Sequence, residues 1–352
     1  VAPDEVIVLG TGSTDFDSRI VDGLGARADV VLTGSGIAAI RLITPAVTDA
    51  DALMERMSLA NANQVLDAMV AAINPDAHRP AWLAAPEQAA VLNNAPSRWG
   101  ASENPERLIE IEGLLDQVTE QSAVPGHEGP IRNAIFNAMP QWAKELAQID
   151  EMGNMWVEVG PAGQATVFLA HMDEVGYEIE SIDRNGVVNL TRLGGVVETA
   201  WEGQPALLQL DPFINKESQA QAPSLRGVFN TRRAPQQKRP DAVTAWFGMN
   251  KRQLEAASVR VGMGVTGYKE GHRMGAFRYS SRSLDDRVGT TSLLFALRQI
   301  DPGALQNRVV FTWTVREEGG LRGAAAMAQR LGSRTRRVYS IDTFVSSDTP
   351  LE

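Results

Sequence analysis

Three short apolar segments of this chain each lead into a group of acidic or histidine residues. The segments and the groups that follow them are 167–170 with 171–173, 309–315 with 317–318, and 338–341 with Asp342. Such segments predict buried strands, which are apolar on both faces. In α/β folds, ligands bind in the crevice beyond the carboxyl ends of the strands. We therefore expect the three groups to lie together in one site.

A fourth acidic group, Asp285 and Asp286, opens a segment in which apolar residues recur at helical spacing between positions 288 and 300. Carboxylates are favoured at a helix N-terminus by the helix dipole, which explains one of these residues better than two. One imidazole and several carboxylates together suit a divalent metal ion. A carboxylate can also bridge two ions about 3.5–4 Å apart.

Each group also has an interpretation without catalysis. His171 can bind a metal ion while Asp173, on the same face of the strand end, fixes its tautomer, or His171 can be a turn residue bonded to that Asp. Glu317 and Glu318 can form a solvated acidic turn, or one can bind a metal ion while the other acts as general base. Asp342 is harder to explain without a partner, because an Asp at the end of an apolar strand is costly to bury.

Composition excludes several other classes. The net charge of −10 offers no basic face for a phosphate backbone, so we expect no nucleic-acid partner. No apolar segment approaches the roughly 18 residues that span a bilayer, so we expect no membrane partner. The absence of cysteine excludes disulfides, thiol catalysis and Cys-ligated zinc. The chain begins at Val1, which fits a removed export signal or trimming, so a cytoplasmic and an exported location both stay open.

The pattern of segments predicts three regions. Residues 1–104 form an N-terminal module of unknown role. Residues 105–180 and 282–352 alternate helices with strands and carry the acidic groups, as expected for one α/β catalytic domain. Residues 181–281 consist of short apolar stretches between glycines and turns, which predicts an inserted β domain.

Finer predictions concern the less regular parts of the chain. Within the N-terminal module we expect strands at 6–9 and 30–32, an amphipathic helix over 52–73 and a linker over 74–104. Within the inserted domain, the proline-rich segment 211–241 predicts a long loop.

The acidic groups, taken in order, resemble a known family. The motifs that carry the resemblance are HMDEVG at 171–176, LDDRVG at 284–289, EEGGLRGA at 317–324, and ID at 341–342 with SDTP at 347–350. They resemble the cocatalytic metallo-aminopeptidases that assemble as tetrahedral dodecamers, the glutamyl or deblocking aminopeptidase and cellulase-like family within the zinc exopeptidases. The resemblance covers about residues 106–352 and not 1–100. It implies an α/β fold with a mixed-sheet zinc-exopeptidase domain flanked by helices and an inserted small β-barrel domain, to which this chain adds an N-terminal α/β module.

The resemblance also implies two divalent metal ions per subunit, Zn²⁺ or alternatively Co²⁺ or Mn²⁺. His171 and Asp342 would hold one ion and Glu318 the other. Asp285 would bridge both ions and would be joined to Asp286 by a cis peptide bond.

The implied reaction is removal of N-terminal residues from peptide substrates by a metal-activated water. Glu317 would be the general base of that reaction, and Asp173 would orient His171. A homo-oligomer, the dodecamer of the family, is implied as well.

One departure from the family leaves alternatives open. The family supplies the second ion with a further histidine near its C-terminus, whereas this chain ends at Glu352 and its other histidines are His78, His127 and His272. Either the chain is a fragment whose C-terminal part is missing, which we favour, or the second metal site is incomplete. An inactive relative acting in binding or assembly is therefore an alternative hypothesis. A glycoside hydrolase is another, and it would need two carboxyls roughly 5–9.5 Å apart and no metal.

Overall fold

A computed structural model of the chain describes residues 5–10, 39–44, 46–48, 55–58, 105–210, 224–231, 242–274 and 278–345. Its α-helices are α1 Pro105–Thr119, α2 Gly129–Ala138, α3 Gln141–Leu146, α4 Glu198–Trp201, α5 Lys251–Ala256, α6 Leu284–Gln299 and α7 Arg322–Leu331. Within the described part of the chain, no helix has both the length and the apolar character that crossing a membrane requires.

The strands, in chain order, are β1 Glu5–Gly10, β2 Ala39–Thr44, β3 Ala46–Thr48, β4 Glu55–Ser58, β5 Gln148–Ile149, β6 Met155–Val159, β7 Ala165–His171, β8 Gly176–Ile182, β9 Val187–Leu193, β10 Pro205–Gln209, β11 Ser224–Phe229, β12 Val243–Trp246, β13 Gly264–Gly267, β14 His272–Met274, β15 Arg278–Ser281, β16 Arg308–Thr314, β17 Thr335–Ile341 and β18 Phe344–Val345. The predicted strands before His171, Glu317 and Asp342 correspond to β7, β16 and β17.

The central sheet is mixed, and helices cover both of its faces. Its order is β1-β2-β17-β7-β16-β6-β5, with parallel pairing from β1 to β16 and antiparallel pairing from β16 to β5. Phe168 on β7 belongs to the core shared with α1, α2 and α6, whereas its neighbour Val167 packs with Met327 and Leu331 of α7. Successive side chains of a strand point to opposite faces, so a strand covered on both faces must be apolar throughout. The predicted α/β fold with a mixed sheet is confirmed.

The predicted small barrel is also confirmed. Six strands close in the order β10-β11-β12-β9-β8-β13, and they lie in the chain between β7 and α6. The barrel has its own core, in which Tyr177, Trp201 and Phe229 pack ring against ring. Its strands run from Gly176 to Gly267, whereas the sequence predicted an insertion over 181–281.

The described strands of the N-terminal region join sheets whose other strands come from residues 148–345. The predicted strand at 6–9 is confirmed by β1, and β2 pairs in parallel with β17. The predicted helix over 52–73 is wrong at β4, which pairs with β15 instead. Helical spacing is a local signal, and hydrogen bonding to a distant strand overrides it here. The remainder of 52–73, the strand predicted at 30–32 and the linker predicted at 74–104 lie outside the described residues, and the module limits stay a prediction.

The predicted loop over 211–241 is wrong at β11, which occupies its middle. β11 pairs with β10 and β12, so barrel closure recruits a segment whose composition is typical of a loop. Residues 211–223 and 232–241 lie outside the described part of the chain.

Candidate metal centre

The candidate site lies where three parallel strands end side by side. β17, β7 and β16 are neighbours in the sheet and run in the same direction, so their carboxyl ends meet at one edge. His171 is the last residue of β7, Asp342 follows β17 directly, and Glu317 comes soon after β16. The N-terminal end of α6 adds Asp285 to the same edge. This arrangement agrees with the general location of ligand sites in α/β sheets.

His171 is the centre of the group. Its Nε2 lies 3.0 Å from Oδ1 of Asp285 and 3.7 Å from Oδ1 of Asp342. The ligand atoms of these three side chains all lie within 4.8 Å of one another, in the one such group found among the described residues. The histidine side chain is 3% exposed, while those of Asp285 and Asp342 are 17% and 34% exposed. The hydroxyl of Thr290 on α6 donates to the backbone oxygen of His171 at 3.1 Å, which ties the strand end to the helix.

The field at this site is strongly negative. Burial alone would lower the pKa of His171, but contact with Asp173, Asp285 and Asp342 outweighs burial and raises the pKa well above its ordinary value of 6.5. Burial, followed by the charge of Asp285, raises the pKa of Asp342. Partly buried carboxylates this close to one another are stabilised by a positive charge between them, which is the role that a metal ion fills.

Asp285 and Asp286 face different ways because the start of α6 is irregular. Both have non-helical backbone angles, and the peptide bond that joins them is cis, as the family resemblance implies. Asp285 reaches His171, whereas Oδ1 of Asp286 accepts the backbone N–H of Gly289 at 2.8 Å. Burial raises the pKa of Asp286 well above its ordinary value. The irregular turn thus gives one carboxylate to the site and turns the other back to its own helix.

Asp173 holds the backbone of the two adjacent glutamates. Its Oδ1 accepts the N–H of Glu317 at 2.9 Å, and its Oδ2 accepts the N–H of Glu318 at 3.0 Å. Nδ1 of His171 lies closer to the backbone oxygen of Asp173, at 3.1 Å, than to its carboxylate, at 3.7 Å. Asp173 therefore contacts the His171 ring through its main chain at least as closely as through its side chain, and its role in orienting the ring stays a prediction.

Glu317 lies in the same electrostatic field as His171, Asp285 and Asp342. Burial, helped by the charges of Asp342 and Asp285, raises the pKa of Glu317 to about 7 against the opposing effect of His171. A carboxyl group with a pKa near the working pH can both accept and release a proton.

Glu318 and the remaining histidines are not part of the three-residue group. The carboxylate of Glu318 lies toward the barrel, since a Cβ placed on Gly194 would come within 3.3 Å of its Oε2. His127 is buried, with Nε2 3.6 Å from Oε2 of Glu178, and His272 is exposed. His78 and the segment 347–350 lie outside the described residues.

Sequence reasoning missed two residues beside the site, Glu128 and Gly194. Glu128 accepts the backbone N–H of Arg316 at 3.1 Å, directly before the two glutamates. An acid at the start of a helix is ordinarily assigned to the helix dipole, and its burial was the missing signal. Gly194 has φ +84°, and an added Cβ would lie 3.2 Å from Cβ of Glu318. The paired glycines at 194–195, next to a strand, were the available hint.

The comparisons with known proteins agree with this geometry. The M42 glutamyl aminopeptidase family matches residues 153–352. SgcX of Escherichia coli (strain K12), which carries a provisional aminopeptidase name, is 25% identical over 68% of this chain and 64% of its own length. This chain thus spans less than two thirds of that curated relative.

Two solved structures are similar at the level of the fold and at 26% identity. The aminopeptidase APDkam598 from the archaeon Desulfurococcus kamchatkensis superposes with a TM-score of 0.60, covering 69% of this chain and 65% of its own. PhTET1-12s, described as a dodecamer, superposes with a TM-score of 0.58, covering 68% of this chain and 70% of its own.

Proposed function

This chain belongs to the M42 glutamyl aminopeptidase family, and we propose that it removes N-terminal residues from peptides in a metal-dependent reaction. The observation that carries the proposal is the meeting of His171, Asp285 and Asp342 at one sheet edge, with the ligand atoms within 4.8 Å of one another. The aminopeptidase name of the similar archaeal protein APDkam598 supports the substrate class.

The side chains present fit a divalent ion. One imidazole nitrogen and carboxylate oxygens are the ligand types of catalytic zinc, and they also suit Co²⁺ and Mn²⁺. His171 and Asp342 would hold one ion and Glu318 a second, and Asp285 would serve both. Such ions, when bound, would lower the pKa of a water molecule and polarise a substrate carbonyl.

One residue, Glu317, would carry both proton transfers of the reaction, and Asp173 would hold it in place. Glu317 accepts a proton as water adds to the scissile carbonyl carbon, and it returns that proton to the leaving amine when the C–N bond breaks. Asp173 holds Glu317 and Glu318 in place through their backbone N–H groups.

Recognition of the substrate's free α-amino group would explain why only the N-terminal residue is removed. In this proposal the protonated amine pairs with a carboxylate of the site, or the neutral amine would donate its lone pair to a bound ion. A substrate whose amine is acetylated has lost both the charge and the free lone pair and should bind poorly.

A panel of aminoacyl chromogenic substrates, each offered with a free and with an acetylated α-amino group, tests the proposal. Hydrolysis restricted to the free-amine forms is expected. Equal hydrolysis of both forms would exclude an aminopeptidase, and chelator-resistant activity on a glucan would favour the glycoside hydrolase instead.

We further propose that the chain forms a homo-oligomer, because PhTET1-12s, described as a dodecamer, shares its fold. Light scattering on the eluting peak of a sizing column measures the mass. We expect a mass of two or more times the 38.1 kDa of one chain. A monomer at all concentrations would contradict this part of the proposal.

A further inference from the structure

Three consecutive backbone N–H groups beside the site donate hydrogen bonds to two buried carboxylates. The N–H of Arg316 donates to Oε1 of Glu128 at 3.1 Å, and those of Glu317 and Glu318 donate to Asp173 at 2.9 and 3.0 Å. Glu128 is 4% exposed and Asp173 is fully buried. Charge-assisted hydrogen bonds of this kind are stronger than neutral ones, so the backbone of 316–318 is firmly held.

Glu128 connects this turn to a second loop. The same Oε1 accepts the N–H of Gly126 at 2.8 Å, so one oxygen joins the loop before α2 to the turn after β16. Glu128 stands at the N-cap position of α2, yet its side chain makes no hydrogen bond to its own helix. Helix capping therefore does not explain where the carboxylate points.

Stability alone explains this placement poorly. Burial, with the nearby charge of Asp173, raises the pKa of Glu128 to about 7 despite the N–H groups that lower it. Two carboxylates buried close together disfavour each other's charge. The turn that they share carries Glu317 and Glu318, and Arg316 at its start has a left-handed backbone with φ +55°. A turn of this shape needs fixed partners to keep its side chains aimed in one direction.

We propose that Glu128 is a positioning residue, which holds the N–H of Arg316 so that Glu317 and Glu318 keep their carboxylates in the site. The proposal rests on the proposed function, because the aim of the turn affects turnover only if these two glutamates act as assigned. Glu128 acts through the backbone of the turn and has no assigned contact with substrate. A displacement of about 1 Å in a catalytic group can cost about 100-fold in rate.

Two substitutions separate hydrogen bonding from packing. Glu128→Gln keeps an oxygen that can accept both N–H groups, whereas Glu128→Leu keeps similar bulk without an acceptor. We expect Glu128→Leu to lower kcat about 10- to 100-fold with KM little changed, as is typical when a residue supporting a metal site is lost. Glu128→Gln should retain most of the wild-type kcat.

A matched control removes the same kind of interaction elsewhere. Oδ1 of Asp183 also accepts two backbone N–H groups, those of Asn185 and Val187, but in an exposed barrel hairpin. Asp183→Leu should leave kcat unchanged. If it lowers kcat as much as Glu128→Leu does, loss of such a bond anywhere impairs the enzyme and the positioning role is overturned.

Hydrogen exchange of the peptide that contains 316–318, followed by mass spectrometry on the full chain, gives a readout without turnover. Exchange should quicken in Glu128→Leu and not in Glu128→Gln, and unchanged exchange in Glu128→Leu overturns the inference. If Glu128→Leu does not fold, Glu128→Asp replaces it, because its carboxylate is one methylene shorter. Glu128→Asp should show faster exchange at 316–318 and a lower kcat than Glu128→Gln. Equal exchange and equal kcat in these two variants overturn the inference.

The outcomes also separate this inference from the proposed function. A wild-type chain that cleaves no substrate defeats the proposed function, while exchange at 316–318 still decides whether Glu128 holds the turn. An active wild type with normal kcat in Glu128→Leu defeats the positioning role and leaves the proposed function intact.

Discussion

Nε2 of His171 and Oδ1 of Asp285 lie 3.0 Å apart although 114 positions separate the two residues in the chain. The whole barrel is inserted between them, from β8 to β13. The end of β7 and the start of α6 must therefore be set against each other by packing of the central sheet against its helices, including the bond from Thr290 to the His171 backbone. The candidate metal site is thus a product of the tertiary fold and of no single motif.

His171→Ala should lower the metal content of the chain, because it removes the nitrogen ligand assigned to one ion and leaves carboxylates that repel one another. Elemental analysis after dialysis against Zn²⁺ measures the ions per chain. The control is His272→Ala, which alters an exposed histidine of β14. Equal metal content in the two variants would show that His171 is not a metal ligand.

Glu317→Gln should lower kcat by about 100- to 10,000-fold while metal content stays at the wild-type level, because the amide cannot accept the proton. Steady-state kinetics and elemental analysis on the same preparation check both parts. Turnover near the wild-type rate would assign the base to another residue.

Gly194→Ala should impair the site from the barrel side. An added Cβ would lie 2.9 Å from Cγ1 of Val175 and 3.2 Å from Cβ of Glu318, at a backbone φ of +84°. We expect kcat to fall as Glu318 is displaced. Gly248→Ala is the matched control, because φ is +74° there but nothing lies within 4 Å of the added Cβ. Both variants bear similar backbone strain, of about 1–2 kcal/mol, so a kcat equally reduced in both would reject the contact with Glu318 as the cause.

Glu174→Gln should strongly destabilise the fold. Burial tends to raise the pKa of Glu174, but Arg282 and Arg287 outweigh it and the pKa lies below its ordinary value of 4.5. Ion pairs join the carboxylate to both arginines, which are themselves buried. Breaking such a buried pair costs about 3–5 kcal/mol, and we expect that loss in urea denaturation at pH 7.

The lowered pKa of Glu174 also predicts how the difference in free energy of unfolding between wild type and Glu174→Gln depends on pH. The stabilisation from ionised Glu174 is fully present above pH 4.5 and is lost as the pH falls through the lower pKa of the folded state. The difference in free energy of unfolding between wild type and Glu174→Gln should therefore become smaller in acid. If this difference stays constant down to the lowest pH at which both proteins fold, the charge of Glu174 is not what stabilises the fold.

The ends of the strands and the acidic residues that follow them in sequence could be predicted, because both signals are local. Apolar segments indicated β7, β16 and β17, and ligands gather beyond the carboxyl ends of such strands. The partners of Asp173 could not be predicted, since periodicity says nothing about which backbone N–H groups a turn presents. Helical spacing misassigned β4 for a related reason, because its partner β15 lies far along the chain. Glu128 escaped notice because acids at helix starts are common and their burial is a tertiary property.

Metal dependence is tested by measuring hydrolysis of a free-amine chromogenic substrate by the wild-type chain in three states. These are the untreated protein, the protein after EDTA and the bound metal have been removed, and the same protein after Zn²⁺ or Co²⁺ is added back. We predict hydrolysis, its loss in the metal-free protein, and its recovery with added ion. Unchanged hydrolysis by protein that elemental analysis shows to be metal-free would contradict a metal-dependent aminopeptidase.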